Sequence, residues 1–104
     1  MNPREIADLI SEKGWLYAKA RAWHEMLSES KKSLLAKLAT QYEGSEATRE
    51  RQARIDPEYK KYLATVQQAR VEELTLKAEL DSLNMKFEYW RSMNALKKRE
   101  LDLL

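Results

Sequence analysis

The chain has no cysteine among its 104 residues. Disulfides, thiolate metal sites and cysteine nucleophiles are therefore excluded. Histidine occurs once, at His24. The residue three before it is Arg21, so the Glu-x-x-His pair of carboxylate-bridged metal bundles is missing, and no His-x-x-x-His exists. Glycine and proline occur only twice each. Gly14 and Gly44 stand alone, which excludes a glycine-rich phosphate loop, and no serine elbow is present. No apolar run approaches the roughly 20 residues needed to span a bilayer. Met1 to Ile10 lacks a basic stretch followed by an apolar one, so no secretory signal is expected and a cytoplasmic location is the default. Net charge is only +2, too little for a strong global attraction to nucleic acid or anionic lipid. Carboxylates are plentiful, but most lie near Lys or Arg at helical spacing and read as a solvated ion-pair face. Without a nucleophile or second acid in a cleft, His24 reads as a packed or rim residue beside Trp23 and Met26. The chain is read as a non-enzyme, with no catalytic, cofactor-binding or metal-ligating residue and no membrane partner.

What is present is long helical pattern. From Pro57 to Leu104 no Gly or Pro follows the first residue. One row of that run reads Tyr59, Val66, Glu73, Leu80, Phe87, Asn94, Leu101. The row three residues on reads Tyr62, Ala69, Leu76, Leu83, Trp90, Lys97, Leu104. This heptad seam predicts one helix over 57–103, about 70 Å long. The N-terminal segment starts with Asn2 as N-cap, Pro3 at the first helical position and Glu5 completing a capping box. Its stripe of Ile6, Leu9, Ile10, Leu16, Tyr17, Ala20, Trp23, Leu27, Leu34, Leu38 and Tyr42 predicts a helix over 3–43, stopped by Gly44. Gly14 inside it is expected to admit a close neighbour, another backbone or Trp15, with a kink or hinge as the alternative. Residues 44–56 form the connector, with at most one or two helical turns capped by Ser45. Asp56 caps the second helix, with Pro57 in its first turn. The expected fold is all-α: one domain over 1–104, a long antiparallel, coiled-coil-like helical hairpin.

Each helix carries a second apolar row. In the first it is Trp15, Ala18, Ala22 and Met26; in the second it is Val71, Leu74, Ala78, Met85, Tyr89 and Leu96. One row zips a hairpin, and a second left in water is a larger patch than soluble monomers normally tolerate. Burying a Leu or Trp contributes roughly 1.5–3 kcal/mol, so a homodimer forming a four-helix bundle is expected, with a partner helix as the competing occupant. Glu73 is expected to pair with Arg70, Lys77 or a basic residue of the first helix. Asn94 either pairs across the dimer or lies wet where the bundle splays, and Lys97 favours splaying.

Charge is concentrated near the C-terminus. Between Lys86 and Arg99 stand Lys86, Arg91, Lys97, Lys98 and Arg99 against Glu88 alone, interleaved with Phe87, Tyr89, Trp90 and Met93. Basic groups neutralise phosphates and aromatic faces stack on unpaired bases, so these residues are candidate nucleic-acid contacts. Arg49, Arg51 and Arg54 in the connector form a second basic group, offset by Glu46, Glu50 and Asp56.

Tyr42-Glu43-Gly44, the stretch from Arg49 to Asp56-Pro57-Glu58-Tyr59-Lys60, and Trp90-Arg91-Ser92 resemble small helical proteins of bacteriophages and prophages encoded near recombination and single-strand annealing genes. The resemblance runs from about Leu16 to Ala95. It implies an accessory role in phage DNA recombination or replication, through DNA or a protein partner, and it offers no catalytic residues. Its basic connector maps onto Arg49, Arg51 and Arg54. The expected function is a non-enzymatic helical-hairpin interaction protein; the alternative is a nucleic-acid-binding accessory protein.

Overall fold

Asn2 starts the first helix by a reciprocal capping box. Its side-chain oxygen accepts from the Glu5 amide at 2.8 Å, and its own amide donates to the Glu5 carboxylate at 3.3 Å. The computed structural model describes residues 1–104 and is all-helical, with no strand. Four helices follow in order: α1 (Pro3–Glu29), α2 (Lys31–Ala39), α3 (Glu46–Ile55) and α4 (Pro57–Leu103).

Three boundaries depart from expectation. The single helix expected over 3–43 breaks at Ser30 and ends at Ala39. At the break the Ser30 hydroxyl donates to the Met26 carbonyl at 3.0 Å, while the Ser30 amide bonds the Leu27 carbonyl three residues back. The Tyr62 hydroxyl also donates to the Leu27 carbonyl. Side-chain donors on two successive carbonyls bend the ladder there. Past Ala39 the amides of Gln41 and Tyr42 reach back only three residues, a 3₁₀ tail, before Gly44 turns the chain at φ +117°. The expected connector over 44–56 is a ten-residue helix, α3. Ser45 caps it by accepting from the Thr48 amide at 3.3 Å. Asp56 then leaves the helical region at ψ 136°, as the residue before a proline does, and caps α4 by accepting from the Glu58 amide at 2.8 Å.

The chain divides into two compact units. Unit 1 comprises Met1–Ala18 and Leu74–Leu104. Its two helical segments run antiparallel, with Lys13 reaching Glu79 at 2.8 Å and Ile6 and Leu83 buried. The Glu79 hydrogen bond raises the pKa of Lys13. Unit 2 is Lys19–Glu73. Its core is Leu38, Ala53 and Tyr59, flanked by Leu34, Leu35, Ala39 and Tyr62. The rings of Tyr59 and Tyr62 stack at 5.9 Å.

Along α4 the heptad seam is real and finite. Every α4 residue that is not exposed lies on the two predicted rows: Tyr59, Tyr62, Val66, Ala69, Glu73, Leu76, Leu80, Leu83 and Phe87. From Glu88 onward every residue is exposed. On α1 the covered stripe is displaced by one position near its end. Trp23, expected on the stripe, is exposed, and His24 takes its place. Glu73 finds its partner there: His24 Nδ1 lies 2.6 Å from Glu73 Oε2.

Candidate interaction site

The second apolar rows lie on the outside. On α1, Trp15, Ala18, Ala22 and Met26 are exposed, and on α4 so are Val71, Leu74, Ala78, Met85, Tyr89 and Leu96. Among the large side chains of these rows Met85 and Tyr89 are the most exposed, at 73% and 69%. In unit 1 they border an open groove of about 620 Å³, lined by Met1, Ile6, Ser82, Met85, Lys86, Tyr89, Trp90 and Met93. Six of these eight side chains are apolar or aromatic, and Lys86 brings a single ammonium among them.

The groove exists because the two helical segments of unit 1 are unequal. Counting from Lys13 opposite Glu79, ten residues back along α1 reach Pro3, and ten forward along α4 reach Tyr89. α1 therefore starts level with Tyr89, and α4 runs on to Leu103 beside no other helix of its unit. Trp90, placed in the core by its heptad position, is 38% exposed for this reason; its ring lies 6.0 Å from that of Phe87. Asn94 and Lys97 are exposed in the single chain. Ile6, Ser82, Trp90 and Met93 were not singled out as interface residues from sequence. The start of the first helix at Pro3, counted against the seam, was the signal that places them.

The basic residues separate into groups with different surroundings. Arg91 is held by Glu88 at 3.2 Å. Lys86, Lys97, Lys98 and Arg99 have no ion-pair partner in the chain. In unit 2, Arg49 is half-buried on α3, where its Nε is enclosed without a hydrogen-bond partner. Arg49 and Arg54 line a cleft between α2 and α3 together with Lys32, Glu46 and Glu50, whereas Arg51 points away from it and is exposed. Two acids in the same cleft make it a poor anion site. The three connector arginines thus lie on one helix but do not form one patch.

Two hydroxyl contacts tie elements of unit 2 together, Tyr42 to Asp56 and Tyr62 to Leu27. The Tyr42 hydroxyl donates to the Asp56 carboxylate, which raises the tyrosine pKa and lowers that of the aspartate. Desolvation, and then the nearby Tyr59, raise the pKa of Tyr62. No group of three or more His, Asp or Glu side chains is arranged to hold a metal ion, and no helix is long and apolar enough to cross a membrane. No protein family, curated protein or solved structure matches this chain.

Proposed function

We propose that this chain is a non-enzymatic helical interaction protein that pairs with a second copy of itself and engages protein partners through its outward apolar rows. The observation that carries the reading is the second row itself. Trp15, Met26, Leu74, Met85 and Tyr89 are large, exposed and at helical spacing on α1 and α4. Such a surface is stable in water chiefly when another helix covers it. Pairing two copies into a four-helix bundle would cover both rows at once. An accessory role in phage DNA recombination or replication rests on the resemblance carried by Tyr42-Glu43-Gly44, Asp56 to Lys60 and Trp90-Arg91-Ser92. Sedimentation equilibrium at micromolar concentration tests the pairing. A dimer is expected, and a monomer throughout the range overturns it.

A second reading is favoured by one observation. Lys86, Lys97, Lys98 and Arg99 are unpaired cations on the same helix as the exposed Tyr89. They would contact phosphates, with Tyr89 free to stack on a base. Fluorescence anisotropy with labelled single- and double-stranded oligonucleotides decides it. Binding that strengthens as salt falls, and that is lost when Lys97, Lys98 and Arg99 are changed to Glu, supports nucleic-acid contact. No binding at low salt rejects it.

A further inference from the structure

The C-terminal part of α4, from Met85 onward, has a pattern that constrains what covers it. Its apolar face includes Met85, Tyr89, Trp90, Met93, Leu96 and Leu101. Two lysines, Lys86 and Lys97, fall within that same face at helical spacing. Burying an ammonium without a partner is costly, so the occupant must supply a carboxylate or an aromatic ring at each. The chain's own sequence supplies them. Lys86 stands seven residues before Met93, and Glu100 stands seven after it. Two full turns separate each from Met93, about 10 Å along the axis, and both return to the face that Met93 occupies. Trp90 is three residues before Met93 and Lys97 is four after it; Tyr89 is four before and Leu96 three after.

We infer that a second copy of this chain docks its α4 antiparallel in the groove, about a two-fold axis at Met93. In that register Lys86 of one copy meets Glu100 of the other, and the pair occurs twice. Lys97 lies against the ring of Trp90 from the other copy, an arrangement favourable to a cation. Tyr89 packs on Leu96, and the two Met93 side chains meet on the axis. Such a contact is isologous and closes on itself. The charge pattern is what selects a second copy over an unrelated helix, since both lysines on the face are matched by residues of the same segment. The inference rests on the self-association proposed above and gives it a different form from the four-helix bundle. In this register only the last turns of the two α4 helices, up to Leu103, overlap, so Trp15, Met26 and Leu74 lie outside the contact and are left to a protein partner.

The absence of cysteine provides a clean test. A single Met93→Cys substitution in the full chain should yield disulfide-linked dimer under mild oxidation, much faster than Ala95→Cys, which puts its thiol on the other side of the helix. Lys86→Glu and Glu100→Lys should each weaken the dimer about tenfold, by loss of two ion pairs at the contact and gain of two repulsions. The double variant Lys86→Glu with Glu100→Lys should regain wild-type association, which a single helix cannot arrange, since the two positions lie four turns apart. A dimer in which Met93→Cys links no faster than Ala95→Cys, or in which the double variant stays weak, overturns this register and leaves the pairing of copies standing. A wild-type monomer at all concentrations overturns both, as does a groove filled only when another protein or an oligonucleotide is added.

Discussion

A Cβ placed on Gly14 meets nothing within 4 Å, and α1 runs through the position without a break. No other segment of the chain approaches it and the helix is not kinked there, so the glycine chiefly adds backbone freedom to the unfolded chain. Gly14→Ala should raise stability by about 0.5–1 kcal/mol, read as a higher urea midpoint at unchanged slope. Gly44 is the opposite case. Its φ of +117° and the Thr48 methyl 3.3 Å from an added Cβ strain any side chain, and Gly44→Ala should cost about 1–2 kcal/mol. The contact between Tyr42 and Asp56 sets a pH window. Asp56 is depressed by the tyrosine hydroxyl and then by the Glu58 amide, so its contribution is full above the ordinary carboxylate range and is lost as pH falls through the depressed value. Tyr42 is raised by the same bond, so its contribution is full below about pH 10 and is lost as pH rises through the raised value. Tyr42→Phe should therefore lower stability at neutral pH, with the gap to wild type closing at both acid and alkaline ends of a urea series.

At the scale of elements, the seam of α4 was legible because its partner contacts repeat every seven residues and need only a sequence-local rule. Each row position from Tyr59 to Phe87 is covered as that rule requires. The break at Ser30 was not legible, because one of its two donors, Tyr62, comes from a different helix. α3 was passed over for lack of large apolar residues. It is held by Ala53, a small side chain fully enclosed against Leu38 and Tyr59. Smallness is the fit, so Ala53→Leu should destabilise by about 1–3 kcal/mol through overpacking, while Arg51→Ala on the exposed side changes stability by less than about 0.5 kcal/mol. Tyr62→Phe removes the donor to Leu27 and should cost about 0.5–1.5 kcal/mol. The candidate site was half legible. Its row residues Met85 and Tyr89 follow from periodicity, whereas Ile6 and Met93 depend on where α1 starts relative to α4.

For the molecule as a whole, Leu38 is the one large side chain enclosed completely, and sixteen large hydrophobics remain exposed. A chain that covers so little of its apolar surface has a thin margin against the entropy of ordering itself. If a second copy supplies the missing cover, stability is inseparable from concentration. The thermal midpoint should then climb steadily over a hundredfold range of protein concentration. A midpoint that does not move weighs against self-association. Lys86→Glu should flatten the climb, and addition of Glu100→Lys should restore it.

The run of α4 beyond Tyr89 has one more consequence, and it concerns the ensemble rather than the fold. Those last turns propagate from an anchored helix, so they escape the cost of nucleation, yet each added residue gains little when no side chain packs on it. Residues 88–103 are helical and exposed throughout, so their order rests on helix propagation rather than on packing. An occupant that packs on these turns would hold them against opening, and part of its binding free energy would go to that ordering. Association should be accompanied by a gain in far-ultraviolet ellipticity and by a negative heat-capacity change larger than rigid docking would give. The end of the helix would thus act as a built-in reporter, with its own secondary structure measuring how much of the protein is assembled.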